Sequence, residues 1–108
     1  MYTRSAIFEG QIHEGMEDIF YKLVETELLP VWQSMPHAQS VRLYRPEKHD
    51  PDAPRIFLIQ EIDYPSLEAI DEAMASPQRD KAKEAHEKIM PLYSGRHYHI
   101  VSRKITKD

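Results

Sequence analysis

No cysteine occurs in the 108 residues of this chain, and there are only three glycines and one tryptophan. The missing thiols exclude disulfides, thiolate metal sites and cysteine nucleophiles. With so few glycines there is no glycine-rich loop to cradle a phosphate, and no serine stands in a strand-turn-helix elbow. No apolar run approaches the roughly 20 residues that cross a bilayer as a helix. The opening Met1-Tyr2-Thr3-Arg4-Ser5 runs straight into a strand pattern, so no apolar leader is expected. Acids and bases alternate at a net charge of −4 without a Lys/Arg cluster, which argues against a nucleic-acid partner. The expectation is one domain over residues 1–108, cytoplasmic, with no membrane and no nucleic-acid partner. A chain of this size buries roughly two thirds of its unfolded surface, enough for one core without staples.

What is present is a succession of hydrophobic periods: strand, helix, strand, then strand, helix, strand again. Residues 4–13 alternate, with Ala6, Phe8, Gly10 and Ile12 on one face and Ser5, Ile7, Glu9, Gln11 and His13 on the other. From Glu14 the period lengthens, and Met16, Ile19, Phe20, Leu23, Leu28 and Val31 form a helical stripe that Pro30 is expected to kink or end. Ser40–Arg45 reads as a second strand, and the proline-bounded segment 46–54 as a polar, mobile loop. The nearly continuous apolar run at 55–63 suits a central strand covered on both faces. A broken helix follows: Leu67, Ile70, Ala73 and Met74, then a restart at Ser76-Pro77 with Ala82, Ala85, Ile89 and Leu92. Ser94-Gly95 is read as its end, residues 96–105 as the closing strand, and 106–108 as a short tail.

The two halves share a signature, Leu28-Leu29-Pro30-Val31-Trp32 and Ile89-Met90-Pro91-Leu92-Tyr93. A split β-α-β pair follows: an α+β, ferredoxin-like βαββαβ sandwich. In that topology both helices lie on one face of the sheet. A third strand apolar on both sides then needs a second cover, and a homodimer packed through the open sheet faces provides it.

Met35-Pro36-His37-Ala38-Gln39-Ser40-Val41-Arg42-Leu43, Tyr64-Pro65-Ser66-Leu67-Glu68-Ala69-Ile70 and Met74-Ala75-Ser76-Pro77, with the short closing strand, resemble the dimeric α+β barrel superfamily. That group includes EthD-like proteins, antibiotic-biosynthesis monooxygenases and muconolactone isomerases. The resemblance implies two copies forming a dimeric α+β barrel, and a small aromatic or polyketide-like ligand held between sheet and helices, often without a cofactor. No cofactor is expected here, and the asparagine, tryptophan and histidine set of the haem-degrading branch finds no match.

Strand parity supplies the candidate chemistry. Glu9 and Gln11 on the first strand, Glu61 on the third, and His97 and His99 on the last are expected to face a shielded cavity. Burial raises a carboxyl pKa and histidine titrates near neutrality, so Glu9, Glu61, His97 and His99 are the candidate catalytic groups for moving protons. Gln11, Trp32, Arg42 and Tyr44 are the candidate substrate contacts. The competing reading pairs Glu9 and Glu61 with Arg42, Arg55 or Arg103 in structural salt bridges. The His97-x-His99 spacing is also found in metal sites, but two histidines at i and i+2 are a weak signal in a chain with six, and no metal is expected. The functional expectation is a small cofactor-independent enzyme, monooxygenase- or isomerase-like, acting by proton transfer on a hydrophobic metabolite. The alternative is a non-catalytic dimeric ligand-binding or accessory protein.

Overall fold

The computed structural model describes residues 1–107; Asp108, the last residue of the expected tail, lies outside the described residues. The elements are β1 (Tyr2–Ile12), α1 (Glu17–Leu23), α2 (Leu29–Gln33), β2 (Ser40–Tyr44), β3 (Ile56–Tyr64), α3 (Leu67–Met74), α4 (Pro77–Glu87) and β4 (Tyr93–Arg103). All strand pairs are antiparallel, in the order β2-β3-β1-β4. This is the ferredoxin-like α+β arrangement, with β1 and β3 central.

Pro30 does not end the first helix. Val24–Leu28 forms a π-helical turn joining α1 to α2, and the Leu29 N–H reaches back to the Val24 carbonyl. Widening the turn just before the proline makes room for a ring that would otherwise strike the preceding turn. Ile19, expected in the buried stripe, is exposed, while Phe20, Val24, Leu28 and Trp32 form the inward face. The second helical region breaks at Ser76 as expected, with Pro77 opening α4. The Ser76 hydroxyl donates back to the Ala73 carbonyl at 2.6 Å instead of capping α4, whereas Ser66 caps α3 by accepting from the Ala69 N–H at 3.0 Å.

β3 looked apolar on both faces because it carries a bulge opposite β1. Phe8 pairs with Leu58 and Glu9 with Ile56, so Phe57 has no partner and turns to the helices beside Leu58. Beyond that point β3 alternates: Leu58, Gln60, Ile62 and Tyr64 are buried and Ile59, Glu61 and Asp63 are not. The loop at 46–54 is fastened to β3 through His49, whose Nε2 lies 2.9 Å from the Ile56 carbonyl oxygen.

Ser94-Gly95 does not end a helix; it lies within β4, which starts at Tyr93 and runs longer than expected at its N-terminal end. Gly95 pairs with Gly10 of β1, and their backbones approach so closely that a Cβ on Gly95 would stand 2.1 Å from the Glu9 carbonyl oxygen. Both glycines also have φ near +140°, at 137° and 139°. Gly95→Ala is therefore expected to destabilise the protein by about 3 kcal/mol, combining backbone strain with a clash against main chain. Urea denaturation checks this; a midpoint within error of the wild type would show that the strands part without cost.

Candidate active site

The register divides the sheet into two chemically different faces. On the helix side, cross-strand rows run Leu43-Gln60-Ala6-His99 and Val41-Ile62-Arg4-Val101, with Leu58, Phe8 and His97 in the next row. Ala6 is the small member of its row, and its methyl leaves the sheet floor hollow between the Gln60 and His99 side chains. Over that floor lies a cavity of about 380 Å³, roofed by α4, with Trp32 and Met35 also in its lining. A volume of a few hundred cubic ångströms is the size of a small-molecule site.

Three imidazoles meet in this cavity. His97 stacks on Phe8 with ring centres 5.3 Å apart, and His86 on α4 approaches His97 to 4.6 Å. His99 stands edge-on to His97 at 5.4 Å. The Tyr93 hydroxyl lies 3.1 Å from His86 Nε2. Arg4 and Arg79 line the same cavity. Burial, then the His97 and Arg79 side chains, push the His86 pKa down to about 4. Burial, then Arg4 and its neighbours, push His99 to about 4 as well. His97 is lowered by burial and then by Arg79 and Arg4. At neutral pH the cavity therefore holds uncharged imidazoles, able to accept a proton or a hydrogen bond. Among the described residues no cluster of three or more histidine, aspartate or glutamate side chains is arranged to hold a metal ion.

The carboxylates expected beside these histidines lie on the other face of the sheet. Glu61 pairs across strands with Ser5 and Arg42, and its Oε1 accepts from Arg42 Nε at 3.0 Å. Arg42 is further held by Asp63, at 2.7 and 3.0 Å, and Thr3 donates to Asp63 at 2.7 Å. The Arg42 hydrogen bonds, then Thr3, hold the Asp63 carboxyl below its ordinary pKa. Glu9 lies 3.6 Å from exposed Arg96. Glu9 and Glu61 thus sit in ion pairs and do not share a cavity with His97 and His99. Arg42 belongs to that same ion-pair row. Tyr44 is exposed on the open face, and Gln11 is exposed on β1 beside a second hollow of about 340 Å³ near the 46–54 loop. Of the expected substrate contacts, Trp32 alone lines the histidine cavity.

Sequence reasoning missed His86, Arg4, Arg79 and the inward role of Gln60. Two of them left a signal: Arg4 occupies the apolar parity of β1, and Gln60 interrupts the apolar run of β3. His86 and Arg79 lie one turn either side of Ala82, beside the apolar stripe of α4, which fixes the facing of the helix but not that its flanking polar residues meet the histidines of β4.

No protein-family model and no curated protein matches the sequence. Solved structures do match. An EthD family protein from Bacillus halodurans superposes with a TM-score of 0.73 at 14% identity, over 97% of this chain and 100% of that one. SnoaB, a cofactor-independent oxygenase from Streptomyces nogalater, gives 0.64 at 14% identity over 98% and 94%. A dimeric protein of unknown function from Bacteroides fragilis, with a ferredoxin-like fold, gives 0.67 at 6% identity over 95% of each chain. This chain has their fold. At these identities the likeness extends to architecture, as the sequence resemblance implied, and leaves the chemistry to be argued from the cavity.

The histidines carry a pH dependence. An unfolded histidine titrates near 6.5, whereas His86 and His99 titrate near 4 when folded. The unfolded chain thus binds protons that the native state refuses, so stability is present above about 6.5 and falls as pH drops towards 4. His99→Gln is expected to flatten this acid limb when urea midpoints are measured across the range, and NMR titration should place both imidazole midpoints near 4. Midpoints near 6.5 would mean that the cavity is open to water.

Proposed function

We propose that this chain is a homodimeric, cofactor-independent enzyme that moves protons on a small hydrophobic, aromatic or polyketide-like carbon acid held in the histidine cavity. The observation that carries this reading is the meeting of three uncharged imidazoles in a cavity walled by Phe8, Trp32 and methionines. In it, His99 or His97 accepts a proton from a C–H next to a carbonyl, and the electron pair moves onto the carbonyl oxygen as an enolate. Return of the proton to another carbon completes an isomerisation. In the oxygenase branch dioxygen is the oxidant: a methylene becomes a carbonyl, and the second oxygen atom leaves as water. Phe8 and Trp32 supply the flat faces against which an aromatic substrate stacks.

Dimerisation rests on the open sheet face. Tyr44, Ile59, Ile7 and Tyr98 form one row across all four strands beside the Arg42-Glu61 row. An apolar row of this length on one face suits burial against a second copy, and the Bacteroides fragilis protein of this fold is a dimer. Sedimentation equilibrium is expected to give twice the chain mass for the wild type and the single mass for Ile59→Lys. A wild-type monomer would remove the dimer from the proposal.

The chemistry is tested with anthrone, whose methylene is acidic, in deuterium oxide. The wild type is expected to speed deuterium entry at that methylene, and His99→Ala to reduce the rate by about a hundredfold with the circular dichroism spectrum unchanged. Bound anthrone with no rate enhancement would favour the non-catalytic ligand-binding alternative.

A further inference from the structure

We propose that the histidine cavity holds a carboxylate subsite built from Arg4, Arg79 and Tyr64, so that the substrate is a hydrophobic aromatic acid. This rests on the small-molecule reading of the cavity and names the class of molecule. Arg4 stands on β1 in the row next to Gln60 and His99, with Ile62 on one side and Val101 on the other. Arg79 comes down from α4 onto the same cavity. Both are half-buried, and among the described residues neither forms a salt bridge, whereas Arg42, Arg45 and Arg96 all do. A desolvated guanidinium without a counter-ion is costly. Two facing one cavity are costlier, and the proton affinity of Arg4 is lowered by burial and by Arg79. The only carboxylate lining the cavity among the described residues is exposed Glu87, the last residue of α4, one turn beyond Lys83.

Two further groups point to a missing ligand. The Tyr64 hydroxyl and the Gln60 side-chain oxygen are buried without a hydrogen-bond partner, in residues 0% and 4% exposed, and both residues line the cavity. Orphaned buried polar atoms are rare in a settled core and call for an explanation. A carboxylate supplies one: it accepts from the Tyr64 O–H and takes bidentate N–H bonds from the guanidinium groups. Gln60, with no partner for its oxygen, loses nothing by turning its amide to offer N–H2. Phe8, Trp32 and Met35 then hold the aromatic body. The anion also alters the histidines. His99 is faced by Arg4 from β1, His97 from its own strand, and His86 and Arg79 from α4. Offsetting the arginine charges relieves part of what holds His99 near 4 and makes it a better base once the acid is bound.

Isothermal titration of the intact protein with naphthoate and with its neutral isostere naphthamide tests this. Naphthoate is expected to bind at least about tenfold more tightly, the size of a charge-assisted hydrogen bond. Tyr64→Phe and Arg79→Met are each expected to weaken naphthoate by about tenfold and leave naphthamide unmoved. Tyr64→Phe deletes a hydroxyl that satisfies nothing in the free protein, so its urea midpoint is expected to hold or rise, which a structural role for the hydroxyl would not allow. The His99 NMR midpoint is expected to rise from about 4 with naphthoate and to stay with naphthamide. Equal affinity for the two ligands, equal losses in the variants, or no binding of either overturns the subsite. Charge preference is read from binding alone. A failed subsite therefore leaves the deuterium-exchange result standing, and an inactive protein that still prefers naphthoate refutes only the enzyme.

Discussion

The pairing of β1 between β3 and β4 is the constraint on which the rest of the molecule depends. Because side chains alternate strictly along a strand, one register sends Arg4, Ala6 and Phe8 towards the helices and Thr3, Ser5, Ile7 and Glu9 away from them. A slip of one residue would exchange the two sets, turning Thr3, Ser5 and Glu9 into the core and Ala6 and Phe8 out of it. The close glycine pair at one end of β1 and the bulge at Phe57 both hold this register in place. The bulge further lets two consecutive aromatic and aliphatic side chains, Phe57 and Leu58, serve the same core without breaking the sheet.

The two faces solve opposite electrostatic problems. On the open face every arginine near a carboxylate is paired, and Arg42 holds two of them in bidentate and single contacts. Such half-exposed pairs fix geometry more than they add stability. In the cavity on the helix side, Arg4 and Arg79 form no salt bridge among the described residues, and the imidazoles around them answer by giving up their protons. Charge repulsion and desolvation act in the same direction there, so the histidines are neutral for two reasons at once. An interior that keeps uncompensated cations, orphaned polar atoms and empty volume in one place has features that folding alone does not favour, and those features coincide with the part of the molecule best shaped to hold a ligand.

The hollow itself has a simple origin. Ala6 lies between Gln60 and His99 in a row where a larger side chain would meet α4 and close the space. Above it the helix presents Ala82 and His86, again a small residue beside a polar one. Core packing elsewhere is dominated by Phe20, Leu28, Leu58 and Ile89, all of them fully enclosed. The contrast between a dense aromatic centre and a thinly filled end is what turns an ordinary two-layer sandwich into a container.

Much of the architecture was legible in the residues because periodicity is a local property: alternation along β1, the helical stripes, and the Ser76-Pro77 break all survive in the folded chain. The misreadings have physical causes. The bulge hid the alternation of β3, the π-turn carried the helix past Pro30, and Gly95 proved to be a close approach of two strands where a helix end was expected. The site was less legible. Parity tells which residues of one strand share a face, but not which face of a neighbouring strand they join, so Glu9 and Glu61 were grouped with His97 and His99 although the sheet separates them. The sequence by itself determined the elements, their order and their amphipathic character, because those follow from spacing along the chain. Which charges would meet, which would stay unpaired, and that Arg4, Arg79, His86 and His99 would enclose one cavity were decided only by tertiary structure, because each depends on register and on where α4 is placed along the sheet.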